Sequence, residues 1–127
     1  MISTRLQDGA ILHLFHRITG LVTEEEVRAG LVDAHEVIKG AVYGFDSMPM
    51  IVDKRDCTFA SLNAQRLWST GLKDDEFFRK HIVRIAVIGT DSTTFQMEQA
   101  ELKGMASADL QFFLTIEEAR TWIRNKN

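Results

Sequence analysis

The stretch VDKRDCTFAS, residues 52–61, begins as the tail of an apolar run and turns within two residues into Asp53, Lys54, Arg55 and Asp56. Its reading decides the fold. Met50 to Asp53 makes a short strand, and Ser61 is an acceptable N-cap for a helix opening LNAQRLW, because its hydroxyl can satisfy an amide that the helix leaves unpaired. The charged residues then form the polar turn that joins a strand to a helix.

Working outward, the same alternation recurs. Residues 10–18, AILHLFHRI, carry Leu12, Leu14 and Ile18 on one side and Ile11 and Phe15 on the other, as expected of a strand inside a sheet. Gly20 is expected to end it. Thr23 and Glu26 form a capping box, and the helix it opens has Val27, Leu31, Ala34 and Ile38 as its apolar stripe and Gly40 as its stop. Beyond the opening segment, Gly71 is expected to interrupt the helix, so that a second short piece covers Asp74 to Lys80. IVRIAVIG, residues 82–89, is nearly continuous in apolar character and belongs in the sheet centre. TDSTT then caps a helix through about Met105, DLQFFLT is a final strand, and Thr115 with Glu118 is another capping box, before IEEARTWIR.

With a short extra strand near Ile2 to Leu6 as an option, this order predicts an α/β domain. Its central sheet is largely parallel but mixed, has four to five strands, and carries helices connected by right-handed crossovers. One domain over residues 1–127 is expected, since no repeat or linker interrupts the chain. Apolar residues make up 45%, charged residues 26% and the net charge is −3, without the sustained Lys/Arg stripe that nucleic acid requires. Cys57 is the single cysteine, so no intrachain disulfide can form. The opening MISTRLQDGA lacks an apolar core with a cleavage site, and apolar runs fall far short of the roughly 20 residues that span a bilayer, so a cytoplasmic protein is expected.

Several segments resemble the SpoIIAA-like domains, the fold shared by STAS domains and by a large bacterial family related to the lipid-binding CRAL-TRIO domains. The likeness spans nearly the whole chain. It rests on ITGLVTEEEV, IVDKRDCTF, RIAVIG and FFLTIEEARTWI, similar to the family's glycine-then-threonine start of the first helix, its Val-Asp-x-Arg-Asp strand segment, its central strand and its closing Phe-x-x-x-x-Glu-Ala-x-x-Trp pattern. In the anti-sigma antagonists the matching helix start carries a phosphorylatable serine within Asp-Ser-Ser-Gly. Ser61 falls within about one position of that serine, but the flanking Asp and Gly are replaced by Ala60 and Leu62. The resemblance implies a non-enzymatic module with a protein partner or a second copy of itself. The link to CRAL-TRIO implies the alternative, a carrier of a small lipophilic ligand with peripheral membrane contact.

In open α/β sheets ligands bind beyond the carboxyl ends of the strands, which here means DKRDCT and GTDSTT. Arg55 is a candidate anion binder, helped by helix amides near Ser61 or Ser92, set against a plainer reading in which Asp53, Arg55 and Asp56 form ion pairs that order the turn. Asp53, Asp56, Thr90 and Asp91 would share one rim, and Asp53 with Asp91 is the one carboxylate pair to weigh for acid–base work. Neither has a histidine or lysine clearly beside it, so no catalytic residue is assigned. Cys57 reads as a small buried hydrophobe. His13 and His16 lie three apart on a strand, face opposite sides and cannot share a metal, and His35 and His81 stand alone, so neither metal nor cofactor is expected. Trp68, Leu72, Phe77 and Phe78 read as core packing, or as a movable cover hinged at Gly71 over an apolar pocket.

Overall fold

Five strands in the order β1-β2-β3-β4-β5 form one sheet in the computed structural model, which describes residues 1–9, 11–41, 47–90, 96, 99–100 and 109–125. The strands are β1 (Ile2–Gln7), β2 (His13–Val22), β3 (Met48–Phe59), β4 (Ile82–Ile88) and β5 (Asp109–Phe113). β1 runs antiparallel to β2, and every later neighbour is parallel. The helices among the described residues are α1 (Glu24–Ala41), α2 (Leu62–Lys73), α3 (Glu76–His81) and α4 (Ile116–Asn125). The mixed α/β sheet read from the sequence is therefore observed, its optional first strand included. Gln96, Gln99 and Ala100 are helical, and the rest of the helix expected there lies outside the described residues.

Both capping boxes form. The Thr23 hydroxyl accepts from the Glu26 amide at 3.2 Å and the Thr115 hydroxyl accepts from the Glu118 amide at 3.2 Å. α1, α2 and α3 cover one face of the sheet, where Leu14, Ile18, Val27, Ile38, Met50 and Trp68 belong to the main core. α4 covers the other face, closing Ala119 and Ile123 on Phe15, Ile51, Ala86 and Ile88. The Arg84 guanidinium donates to the Ile123 carbonyl at 3.0 Å, fixing α4 to β4.

The glycines depart from their expected roles. Gly20 does not end its strand; it sits inside β2 at φ +76°, and pairing to β3 continues through Val22. α1 runs past Gly40 to Ala41. Gly71 breaks nothing, since α2 continues through it to Lys73, and the break comes at Asp74 and Asp75. What Gly71 provides is close approach: a Cβ there would lie 2.4 Å from Leu31 Cδ1, so α1 and α2 cross where one of them has no side chain.

That crossing makes a test with a change of sign. Alanine is a better helix former than glycine by roughly 1 kcal/mol, yet Gly71→Ala is expected to destabilise the protein by about 1–2 kcal/mol through overpacking against Leu31. In a Leu31→Ala background the same substitution should stabilise. Urea unfolding of the four proteins of this double-mutant cycle measures the coupling, and additive effects would rule out the close contact.

Candidate functional site

Residues 53–59 lie in β3, and the polar turn expected there is strand. Their register explains why. Arg17 pairs with Asp53 but Thr19 pairs with Asp56, so one residue of β2, Ile18, opposes two of β3, Lys54 and Arg55. Such a bulge shifts the alternation by one. Before it Met48, Met50 and Val52 face the main core; after it Cys57 and Phe59 do. Pairing to β4 stops at Asp53–Ile88, so the rest of β3 runs on beyond β4, at the end of the sheet where Thr90 follows Gly89.

Strand alternation separates the charges. On one face Asp53 is buried and holds Arg55 bidentately, with Nε to Oδ1 at 3.0 Å and Nη2 to Oδ2 at 2.9 Å. The Arg55 amide also donates to Oδ1 at 3.2 Å. Burial pushes the Asp53 carboxyl up, but the hydrogen bonds and charge of Arg55, with the charge of Arg17, outweigh it and hold the group below its ordinary value. A carboxylate so occupied stays ionised and has no proton to give. Asp56 pairs with Arg17 at 3.6 Å with both side chains largely in solvent, a contact of little energetic weight. Of the plainer reading, the Asp53–Arg55 ion pair is present, in a strand and not in a turn, while Asp56 turns to Arg17 instead.

On the other face Lys54 is buried, its ammonium 4.7 Å from the Trp68 ring centroid and 5.2 Å from that of Phe59. Cation–π contacts that are desolvated in this way contribute up to about 2 kcal/mol. Trp68 in turn donates its indole N–H to His16 Nε2 at 2.9 Å, and His16 Nδ1 meets the Thr4 hydroxyl at 2.7 Å. Indole only donates, so Nε2 carries the lone pair and Nδ1 the proton. Burial, and after it the charge of Lys54, lowers the His16 pKa to about 4. From the sequence His16 is weighed only as a metal ligand, Lys54 only as part of a charged run and Thr4 not at all, because nothing in a charged run or a strand histidine announces a partner 52 residues away.

Ser61 is the N-cap of α2 and accepts from the Ala64 amide at 3.0 Å. Trp68 and Leu72 are core residues, 2% and 7% exposed, with Phe77 and Phe78 partly buried against the same core. His35 is not alone: its Nδ1 meets Asp75 Oδ2, and its ring lies edge-on to Phe77 at 5.4 Å. His13 and His16 face opposite sides, one toward α4 and one toward α2. Cys57 is half-buried against the main core. Asp91 and Ser92 lie outside the described residues. Among the described residues no three His, Cys, Asp or Glu side chains converge as a metal site, and no helix is long and apolar enough to cross a membrane.

A family model described as SpoIIAA-like matches residues 14–124. No curated protein matches the chain. Among solved structures, an uncharacterized protein of the DUF3478 family with a SpoIIAA-like fold, from Shewanella loihica PV-4, is 18% identical, with 96% of this chain and 91% of that one covered and a TM-score of 0.66. The Bacillus cell fate determinant SpoIIAA in its phosphorylated form is 13% identical, with 97% and 99% covered and a TM-score of 0.54. At these identities the likeness is one of fold.

Two measurements check this site. Because the folded pKa of His16 lies below the ordinary 6.5, the folded state binds fewer protons than the unfolded one between pH 6.5 and about 4. Stability should therefore fall as pH drops through that window, by roughly 3 kcal/mol from this group, and His16→Gln should remove that part of the slope. Ser61→Ala is expected to cost about 0.5–2 kcal/mol at neutral pH, as loss of a cap does. Unchanged unfolding midpoints would refute the cap.

Proposed function

The chain belongs to the SpoIIAA-like family, and on that premise we propose that it is a non-enzymatic binding module whose contact surface is the end of the sheet around the start of α2. The observation that carries this reading is the pair of exposed leucines at that end. Leu21, near the end of β2, is 65% exposed, and Leu62, the first residue of α2, is 55% exposed. They flank a connection that is already ordered, with the Ala60 amide bound to the Val22 carbonyl at 2.8 Å and Ser61 capping the helix. Apolar side chains held out on a pre-ordered rim lose little further entropy when a partner covers them. A protein partner, or a second copy of this chain, is the occupant of that surface.

Catalysis finds no support in the same region, because the Asp53 carboxylate is occupied by Arg55. The carrier alternative is weakened by the packing of Trp68 and Leu72 into the main core. Ser61 serves this module as a helix cap, and the surrounding Phe-Ala-Ser-Leu-Asn lacks the acidic and glycine flanks of a phosphoacceptor serine.

Leu21→Glu with Leu62→Glu should leave stability within about 1 kcal/mol, as exposed substitutions do, and abolish association measured by sedimentation velocity and native mass spectrometry. Leu6→Glu, at the opposite end of the sheet, should leave association intact. Association that survives the double substitution would overturn the assignment of the surface. A lipophilic molecule retained in the native mass spectrum would transfer support to the carrier.

A further inference from the structure

α4 carries its charges on separate flanks. Arg120 and Arg124 border the β1–β2 connection, whereas Glu117 and Glu118 open onto a groove of about 590 Å³ between α4 and β5. Phe113 of β5 and Thr121, Trp122 and Asn125 of α4 also line it, and none of these described walls is a cation. Glu118, Trp122 and Asn125 follow one another at single-turn spacing, so carboxylate, indole and amide form one stripe along the helix.

The two tryptophans of the chain are used differently. Trp68 gives its N–H to His16 and holds the Lys54 ammonium 4.7 Å from its ring centroid. Trp122 packs against Phe113 at 5.8 Å between centroids and 48° between planes, and both rings are half-buried. Among the described residues its N–H has no acceptor and no cation lies over its ring. The carboxylates beside it are also incompletely met. Glu118 Oε1 accepts from the Thr115 hydroxyl at 2.9 Å, which leaves Oε2. Glu117 makes no ion pair among the described residues, and the one charge that reaches it is Arg55, already held by Asp53.

We propose that this groove docks a basic segment of a partner protein through an arginine side chain, stacked on Trp122 and hydrogen-bonded to the Glu117 and Glu118 carboxylates. A guanidinium is planar, so it lies on an aromatic face while donating in its own plane to carboxylate oxygens; an ammonium does not combine the two. A purely apolar occupant would cover the carboxylates without pairing them, and a bare metal ion would leave the aromatic walls unused. The groove is larger than one side chain, which leaves room for flanking backbone whose carbonyl accepts from the indole N–H. The net charge of −3 favours approach of a basic partner. This surface belongs to β5 and α4 and is separate from the leucine-flanked one on β2 and α2.

The test is a ¹H–¹⁵N NMR titration at low ionic strength with the peptide acetyl-Gly-Arg-Ala-Arg-Gly-amide. Two counterparts carry lysine, or citrulline, the uncharged isostere of arginine, in place of both arginines. The expected result is a saturable shift of the Trp122 indole N–H and of amides 113 and 117–125, with the Trp68 indole as an unmoved internal control. The citrulline peptide should bind at least about fivefold more weakly, and the lysine peptide more weakly than the arginine one. Glu117→Gln with Glu118→Gln should weaken the arginine peptide by at least about threefold and keep the native spectrum, because glutamine serves the capping box with Thr115 as glutamate does. Four results overturn the proposal. They are no saturable shift at Trp122, equal binding of the arginine and citrulline peptides, equal binding of the arginine and lysine peptides, or arginine-peptide binding unchanged in the double variant. The first and last would leave the two glutamates as complements to the positive end of the α4 dipole.

Discussion

A histidine buried in the middle of a sheet has to find a donor for one nitrogen and an acceptor for the other, and much of this structure is arranged around how His16 does so. The donor comes from α2, as the indole of Trp68, and the acceptor from β1, as the hydroxyl of Thr4. Three elements distant in sequence are thereby fixed by one ring. The face of the Trp68 ring is in turn occupied by Lys54, which follows Met50 and Val52 on the inward side of β3. Imidazole, indole and ammonium form a chain in which each group satisfies the next. A protonated imidazole would break that chain at the indole and add a second positive charge beside Lys54.

What could be read from the sequence followed from local chemistry. The capping boxes of α1 and α4, the apolar run of β4 and the cap at Ser61 depend on residues within three or four positions of each other, and each forms. The reading failed where the deciding contact was distant. Asp53 to Phe59 looked like a turn because charges broke the alternation, yet the break is a bulge whose cause is pairing with β2 some forty residues earlier. Gly71 looked like a helix breaker because glycine lowers helix propensity, and only the Leu31 side chain across the crossing shows why glycine stands there. Lys54 gave no sign of burial, since a lysine next to an arginine and between two aspartates is ordinarily solvated.

Among the described residues, the two faces of the sheet differ in how their polar groups are met. Three helices seal one face, so its polar groups are enclosed with partners. The ten-residue α4 crosses the other, and the polar groups at its two ends differ in character. Near the start of α4, Arg55 is matched by Asp53. Near its finish, guanidiniums and an imidazole nitrogen have no protein partner among the described residues.

Asp75 uses its two carboxylate oxygens in different directions. Oδ1 accepts from the Phe78 amide at the start of α3, and Oδ2 meets His35 in α1. The joint between α2 and α3 is therefore bolted to a third helix by the residue that forms the joint. A swinging motion of α3 against α2 would have to surrender a helix cap and an inter-helix contact in one step, so α1, α2 and α3 are held together as one unit. That unit is seated in turn on the first strand of the sheet, where Gly30 of α1 leaves a small gap for Ile2.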